Sequence, residues 1–147
     1  MKTGLVTSAR ANWVLGAQTF PGNPYDGHTL QQALEQAKRI TGVEPEQACA
    51  DLEYRKSGYE GACDIQIVNR FGKTPDRRLL RWWKRRSAIE PVIGHVREDH
   101  SRKGRCRLAG AAGDALHALL TAVGFNLRKL MKGLKHLFFV FSPAHFP

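Results

Sequence analysis

No C-x-x-C pair, no apolar run long enough to cross a bilayer and no fixed-period repeat occurs in this sequence of 147 residues. Each absence excludes a class. Cys49, Cys63 and Cys106 are odd in number and widely spaced, which excludes a disulfide framework and a zinc knuckle. They read as reduced thiols that pack as small hydrophobes. The most apolar stretch, Leu137 to Phe141, falls far short of the roughly 20 residues a spanning helix needs. Residues 1 to 15 lack the apolar core of a signal peptide, so no membrane partner is expected and the chain reads as cytoplasmic. His95, Asp99 and His100 have metal-like spacing but no fourth ligand at a sensible distance, which argues against a zinc site. Acids are scarce too: 13 Asp and Glu against 23 Lys and Arg leave a formal net charge of +10, which favours a polyanionic partner.

What is present orders itself as one mixed α/β unit. Leu5 to Thr7 and Trp13 to Phe20, rich in Val, Thr and aromatics, flank the mostly polar turn Ser8 to Asn12 and predict a hairpin. Phe20-Pro-Gly-Asn-Pro24 stops the second strand, because proline cannot donate to a ladder. From Thr29 to Ile40 the apolar positions follow helical spacing, with Thr29 and Gln32 as a capping box and Gly42 as the stop. Glu46 to Tyr54 and Cys63 to Val68 predict two further strands, which places Asp51 near a strand's carboxyl end. A basic helix is expected from Leu79 to about Glu98, interrupted at Pro91, and a final helix from Ala111 to Leu137 with an apolar stripe through Leu116, Leu119, Leu120, Val123, Leu127 and Leu130.

The stretch "RRSAIEPVIGHVRED", Arg85 to Asp99, sets a single interior acid, Glu90, among cations. At 100° per residue Trp83, Arg86, Glu90 and Arg97 share one helical face. Three readings stand beside one another. Glu90 is a metal ligand with Asp51 as partner, since Mg²⁺ uses one or two carboxylates and completes its shell with water and phosphate oxygens. Alternatively, Ser87 and Glu90 form a capping box, or Arg86 and Glu90 are an ordinary i, i+4 ion pair.

"RRSAIEPVIGHVRED", followed by "LAGAAGDALHALLTAVGFNLRKLM" and preceded by "FPGNPYDGHTL", resembles the carboxyl-terminal half of DDE-type insertion-sequence transposases, in the group with a signature of tyrosine, arginine, glutamate and lysine. The similarity runs from about residue 3 to residue 135. It implies an α/β fold, a partial ribonuclease-H-like (retroviral-integrase-like) sheet lacking its first strand, with carboxyl-terminal helices. Residues 1–137 would then be a truncated catalytic domain and residues 138–147 a divergent apolar tail. In the signature, Glu90 takes the third catalytic acid and Arg86 the arginine, while Trp83 stands for tyrosine and Arg97 for lysine. The second catalytic aspartate maps onto Asp51 in "DLEYRK", where Glu53 and Lys56 occupy positions that are usually glycine. A side chain held at positive φ there costs about 1 kcal/mol or more.

The resemblance implies metal-dependent phosphodiester cleavage and strand transfer, with Mg²⁺ or Mn²⁺ held by three carboxylates. Asp51 and Glu90 are two of them, as catalytic residues and metal ligands; the first acid lies on a strand that these residues do not include. The fragment is therefore expected to be inactive alone, with the ions belonging to the complete enzyme. Trp83, Lys84, Arg85, Arg86 and Arg97 are the expected contacts to DNA, meaning transposon ends and target. The alternative is a non-catalytic basic DNA-binding remnant that pairs with or inhibits an intact transposase, or forms a homo-oligomer.

Overall fold

The polar pentapeptide between two β-prone segments does close a hairpin. Strand β1 (Lys2–Thr7) pairs antiparallel with β2 (Val14–Phe20), from Lys2 opposite Phe20 to Thr7 opposite Val14. At the turn the Ser8 N–H donates to the Trp13 carbonyl (2.8 Å) and the Ser8 hydroxyl accepts from the Trp13 N–H (3.0 Å). Asn12 takes φ +52°, a conformation asparagine tolerates better than most residues. The computed structural model describes residues 2–68, 77–98 and 108–141, with the backbone alone at positions 78, 79, 82, 97, 98 and 139–141.

Helix α1 (Asp26–Thr41) begins three residues before the expected capping box. Tyr25 is its N-cap, without a side-chain cap, and Thr29 lies inside the helix, buried, with its hydroxyl donating back to the Asp26 carbonyl (2.8 Å). Asp26 has a use of its own that draws the start forward: it is buried in the first turn, where an acid suits the helix dipole, and it pairs with Lys2 of β1. The predicted end holds. Gly42 adopts the left-handed conformation at φ +70° and its N–H returns to the Lys38 carbonyl.

Strand β3 (Gln47–Ala50) runs parallel to β4 (Asp64–Ile67). The longer strand expected to Tyr54 is cut at Asp51, whose side chain caps a single 3-10 turn over Leu52–Tyr54. Helices α2 (Arg77–Ser87) and α3 (Ile89–Glu98) replace the single helix broken at Pro91. The break falls at Ala88, which puts Pro91 in the first turn of α3, where no intrahelical N–H is required.

Helix α4 (Gly110–Phe141) runs unbroken through Gly124. Its small residues Ala118 and Ala122 let it approach β2 and α3 closely, in a core with Val14, Ala17, Val92 and Val96. A second core joins Leu30 and Leu34 of α1 to Cys63, with Ala48 and Ile65 of the parallel pair against it. The leucine stripe of α4 faces away from both; Leu120, Val123 and Leu127 are exposed.

Long-range polar contacts lock the hairpin to the helices. The Asn126 amide of α4 holds both backbone groups of Val14, accepting from its N–H (2.9 Å) and donating to its carbonyl (2.8 Å). Lys129 lies over the Trp13 ring, 5.4 Å from its centroid, and donates to the Ala11 carbonyl. From α2, Arg85 donates to the carbonyls of Ala9 (2.7 Å) and Arg10 (2.8 Å). Strands β1 and β3 each pair on one side only among the described residues. Both border one cavity of about 1190 Å³, which is floored by Leu30, Ala33 and Leu34 of α1 and walled by Ile89, Ile93 and Val96 of α3.

Candidate functional site

Asp51 sits where β3 ends, at the rim of that cavity. Leaving the sheet frees its carboxylate from the ladder and leaves two oxygens to place. Oδ1 accepts from the Leu52 N–H at 2.7 Å, which fixes the rotamer. Oδ2 is taken by the Arg86 guanidinium, reaching across from α2. The second arm of the same guanidinium, Nη1, donates to Glu90 Oε1 at 3.2 Å. The one-residue interruption at Ala88 does not disturb this i, i+4 relation.

The two acids foreseen as partners thus converge on one cation. Arg86 is the most enclosed member, with 16% of its side chain exposed, against 41% for Asp51 and 58% for Glu90. An almost buried guanidinium between two wetter carboxylates is a compact electrostatic clamp, and water still reaches both anions from outside. It ties the end of β3 to α2 and α3. Burial pushes the neighbouring Cys49 thiol up, with Asp51 acting in the same direction and Arg86 in the opposite one. Burial likewise raises the Tyr54 hydroxyl, which lines the cavity beside Asp51. Of the three readings of Glu90, the ion pair with Arg86 is formed. The Ser87 hydroxyl turns the other way, donating to the Trp83 carbonyl (3.4 Å).

The expected DNA contacts are distributed unevenly. Lys84 is exposed on α2, and Arg77 and Arg81 are exposed on the same helix. Arg85 is exposed as well, but its guanidinium is engaged with the hairpin turn. Trp83 is half-buried, Arg86 is committed to the acids, and the side chains of Trp82 and Arg97 lie outside the described residues, as does Cys106. Asp26, lining the same cavity, is paired with Lys2. Among the described residues no three His, Cys, Asp or Glu side chains cluster as a metal would require. No helix there is long and apolar enough to cross a membrane.

A mixed α/β chain with paired acids at a strand end and a helix, beside a basic helix, is the class defined so far. The family model for the transposase DDE domain matches residues 46–131, more than half the chain, from just before β3 to the middle of α4. The chain belongs to the DDE-domain transposase family. No curated protein and no solved structure matches it. Asp51, Arg86 and Glu90 all lie inside the matched segment, whereas the hairpin, α1 and the "FPGNPYDGHTL" motif lie before it.

One departure from the family pattern has a structural counterpart. Lys56 stands at φ +62°, in the left-handed region that a lysine side chain disfavours, whereas Glu53 lies in the 3-10 turn with no such strain. Lys56→Gly is therefore expected to raise stability by about 0.5 kcal/mol, relief of the Cβ clash exceeding the added freedom of the unfolded chain. Urea denaturation reads this directly; a lowered midpoint would show that Lys56 carries no strain.

Proposed function

We propose that these residues form part of a ribonuclease-H-like transposase catalytic domain, in which Asp51 and Glu90 are two of the three acids that hold the catalytic metals. The observation that carries this reading is their convergence, from separate elements, on Arg86. Their oxygens are the hard donors Mg²⁺ and Mn²⁺ take. In the complete enzyme such ions supply activation of water or a 3′-hydroxyl and stabilisation of the leaving oxygen during cleavage and strand transfer.

The chain's own residues do the positioning. Asp51 is held by the Leu52 N–H, so one face of its carboxylate stays directed at Arg86 and Glu90. Arg86 neutralises the two anions, and once released from them its planar fork suits a phosphate of transposon-end or target DNA. Lys84, Arg85, Trp83 and Arg97 add backbone and base contacts along the same helices. A first-strand acid is not among these residues, so the chain alone does not transpose. The free edges of β1 and β3 around one cavity support that reading, because one further strand there would join the two small sheets.

The exposed Arg77, Arg81 and Lys84 favour a second reading: a cytoplasmic, non-catalytic DNA-binding remnant that pairs with or inhibits an intact transposase. Phosphate binding sums over many cations and needs no assembled metal site.

Calorimetric titration of Mg²⁺ or Mn²⁺ into the folded chain, beside an Asp51→Ala, Glu90→Ala double variant, tests the first. Heat present in the wild type and lost in the variant is the expected result; identical traces would mean the acids bind no metal. Duplex DNA binding that weakens steeply with salt, yet ignores the metal and the double substitution, would favour the second.

A further inference from the structure

The leucines of α4 are spaced with a regularity that core packing does not explain. From Leu116 the outward positions Leu120, Val123, Leu127, Leu130 and Leu134 follow in alternating steps of four and three, ending on Leu137. This is the heptad pattern of a helix seam, with Leu120, Leu127 and Leu134 at one core position and Leu116, Val123, Leu130 and Leu137 at the other. It continues in phase for three heptads, about 30 Å at 1.5 Å per residue. The protein core does not use it. All seven side chains are between 40% and 60% exposed, and they lie opposite Ala118 and Ala122, through which α4 packs on β2 and α3.

We infer that this seam is a self-association surface on which a second copy of the chain docks its own α4 as a coiled coil. The chemistry of the flanks selects this occupant. The positions bordering the seam are His117, Gly124, Met131 and Phe138 on one side and Leu119, Asn126 and Gly133 on the other, without an acid, lysine or arginine. No complementary charge is therefore demanded of the partner, and an identical helix meets no facing like charges. Arg128, Lys129, Lys132 and Lys135 all project from the remaining positions, so two copies keep their cations apart. Glycines at two flanking positions permit close approach. The inference rests on spacing and exposure alone, and stands or falls apart from the metal site.

The full chain is examined by sedimentation from about 1 to 100 µM, beside Leu127→Lys at the centre of the seam and Lys132→Gln on the opposite side. The expected result is a species of twice the 16.5 kDa chain mass. Leu127→Lys is expected to weaken self-association about 100-fold with an unchanged far-UV spectrum, and Lys132→Gln to leave it intact. A wild-type chain that remains monomeric at 100 µM overturns the proposal without reference to any variant. So does a dimer that survives Leu127→Lys. A monomer whose binding to phosphatidylserine vesicles is lost in Leu127→Lys would make the face a lipid-binding one and overturn the proposal as well.

Discussion

Replacing Arg86 with alanine is expected to lower stability by about 2 kcal/mol and to make the protein responsive to divalent cations. The magnitude follows from exposure. Removing one partner of a fully buried ion pair costs about 3 to 5 kcal/mol, because the other charge is stranded away from water. Here the stranded groups are Asp51 and Glu90, 41% and 58% exposed, so solvent recovers part of that cost. What remains is two charge-assisted hydrogen bonds and the packing of the enclosed arginine stem. In a domain of this size the loss corresponds to a fall in Tm of about 6 °C.

The second half of the expectation is more specific. With Arg86 gone, the two carboxylates keep their elements and lose their shared counter-ion. A cation with a Kd near 1 mM would then restore about 1.4 kcal/mol at 10 mM. Thermal melts of wild type and Arg86→Ala with and without 10 mM MgCl₂ measure both parts. A variant as stable as the wild type would show that the clamp contributes nothing, and equal Mg²⁺ responses would show that the acids do not form a common site.

Asn126→Ala should be costlier still, by about 2 to 3 kcal/mol. Its amide satisfies both the N–H and the carbonyl of Val14, in a residue that is only 6% exposed. Each backbone group left buried without a partner costs about 1 to 3 kcal/mol, less whatever water recovers. Asn126→Asp, of nearly the same shape, keeps an acceptor for the Val14 N–H and loses the donor to its carbonyl, so it should fall between wild type and Ala. Urea midpoints order the three proteins. If Ala and wild type unfold together, water replaces the amide and α4 is held by its apolar face alone.

These effects mark the boundary between what local sequence encodes and what it does not. The hairpin was legible because β-prone segments flank a polar turn, and α1 because Leu30, Leu34 and Ala37 recur at helical spacing and Gly42 ends them. The start of α1 was misplaced because Asp26 is held by Lys2, a contact between elements that no capping rule contains. At the site, the face shared by Arg86 and Glu90 follows from an interval of four. The bond from Arg86 to Asp51, 35 positions apart, has no period to reveal it. A signal for Asn126 was present and passed over: a lone amide between Phe125 and Leu127, inside an otherwise apolar stretch. Pro91 drew attention to a break that the backbone makes at Ala88, since a proline fits a first helical turn better than it ends one. The α4 stripe was equally visible, but periodicity alone does not say whether a protein's own core or another molecule covers it.

The tie between Asn126 and Val14 spans 112 positions, and it therefore has a history in time. A ribosome adding 5 to 20 residues each second delivers Asn126 roughly 6 to 22 s after Val14. A hairpin closes in microseconds. For nearly the whole of its synthesis, then, the first-formed piece of this protein waits with its opening strand residue unclamped, and any nascent neighbour on the same message has seconds in which to pair with it first.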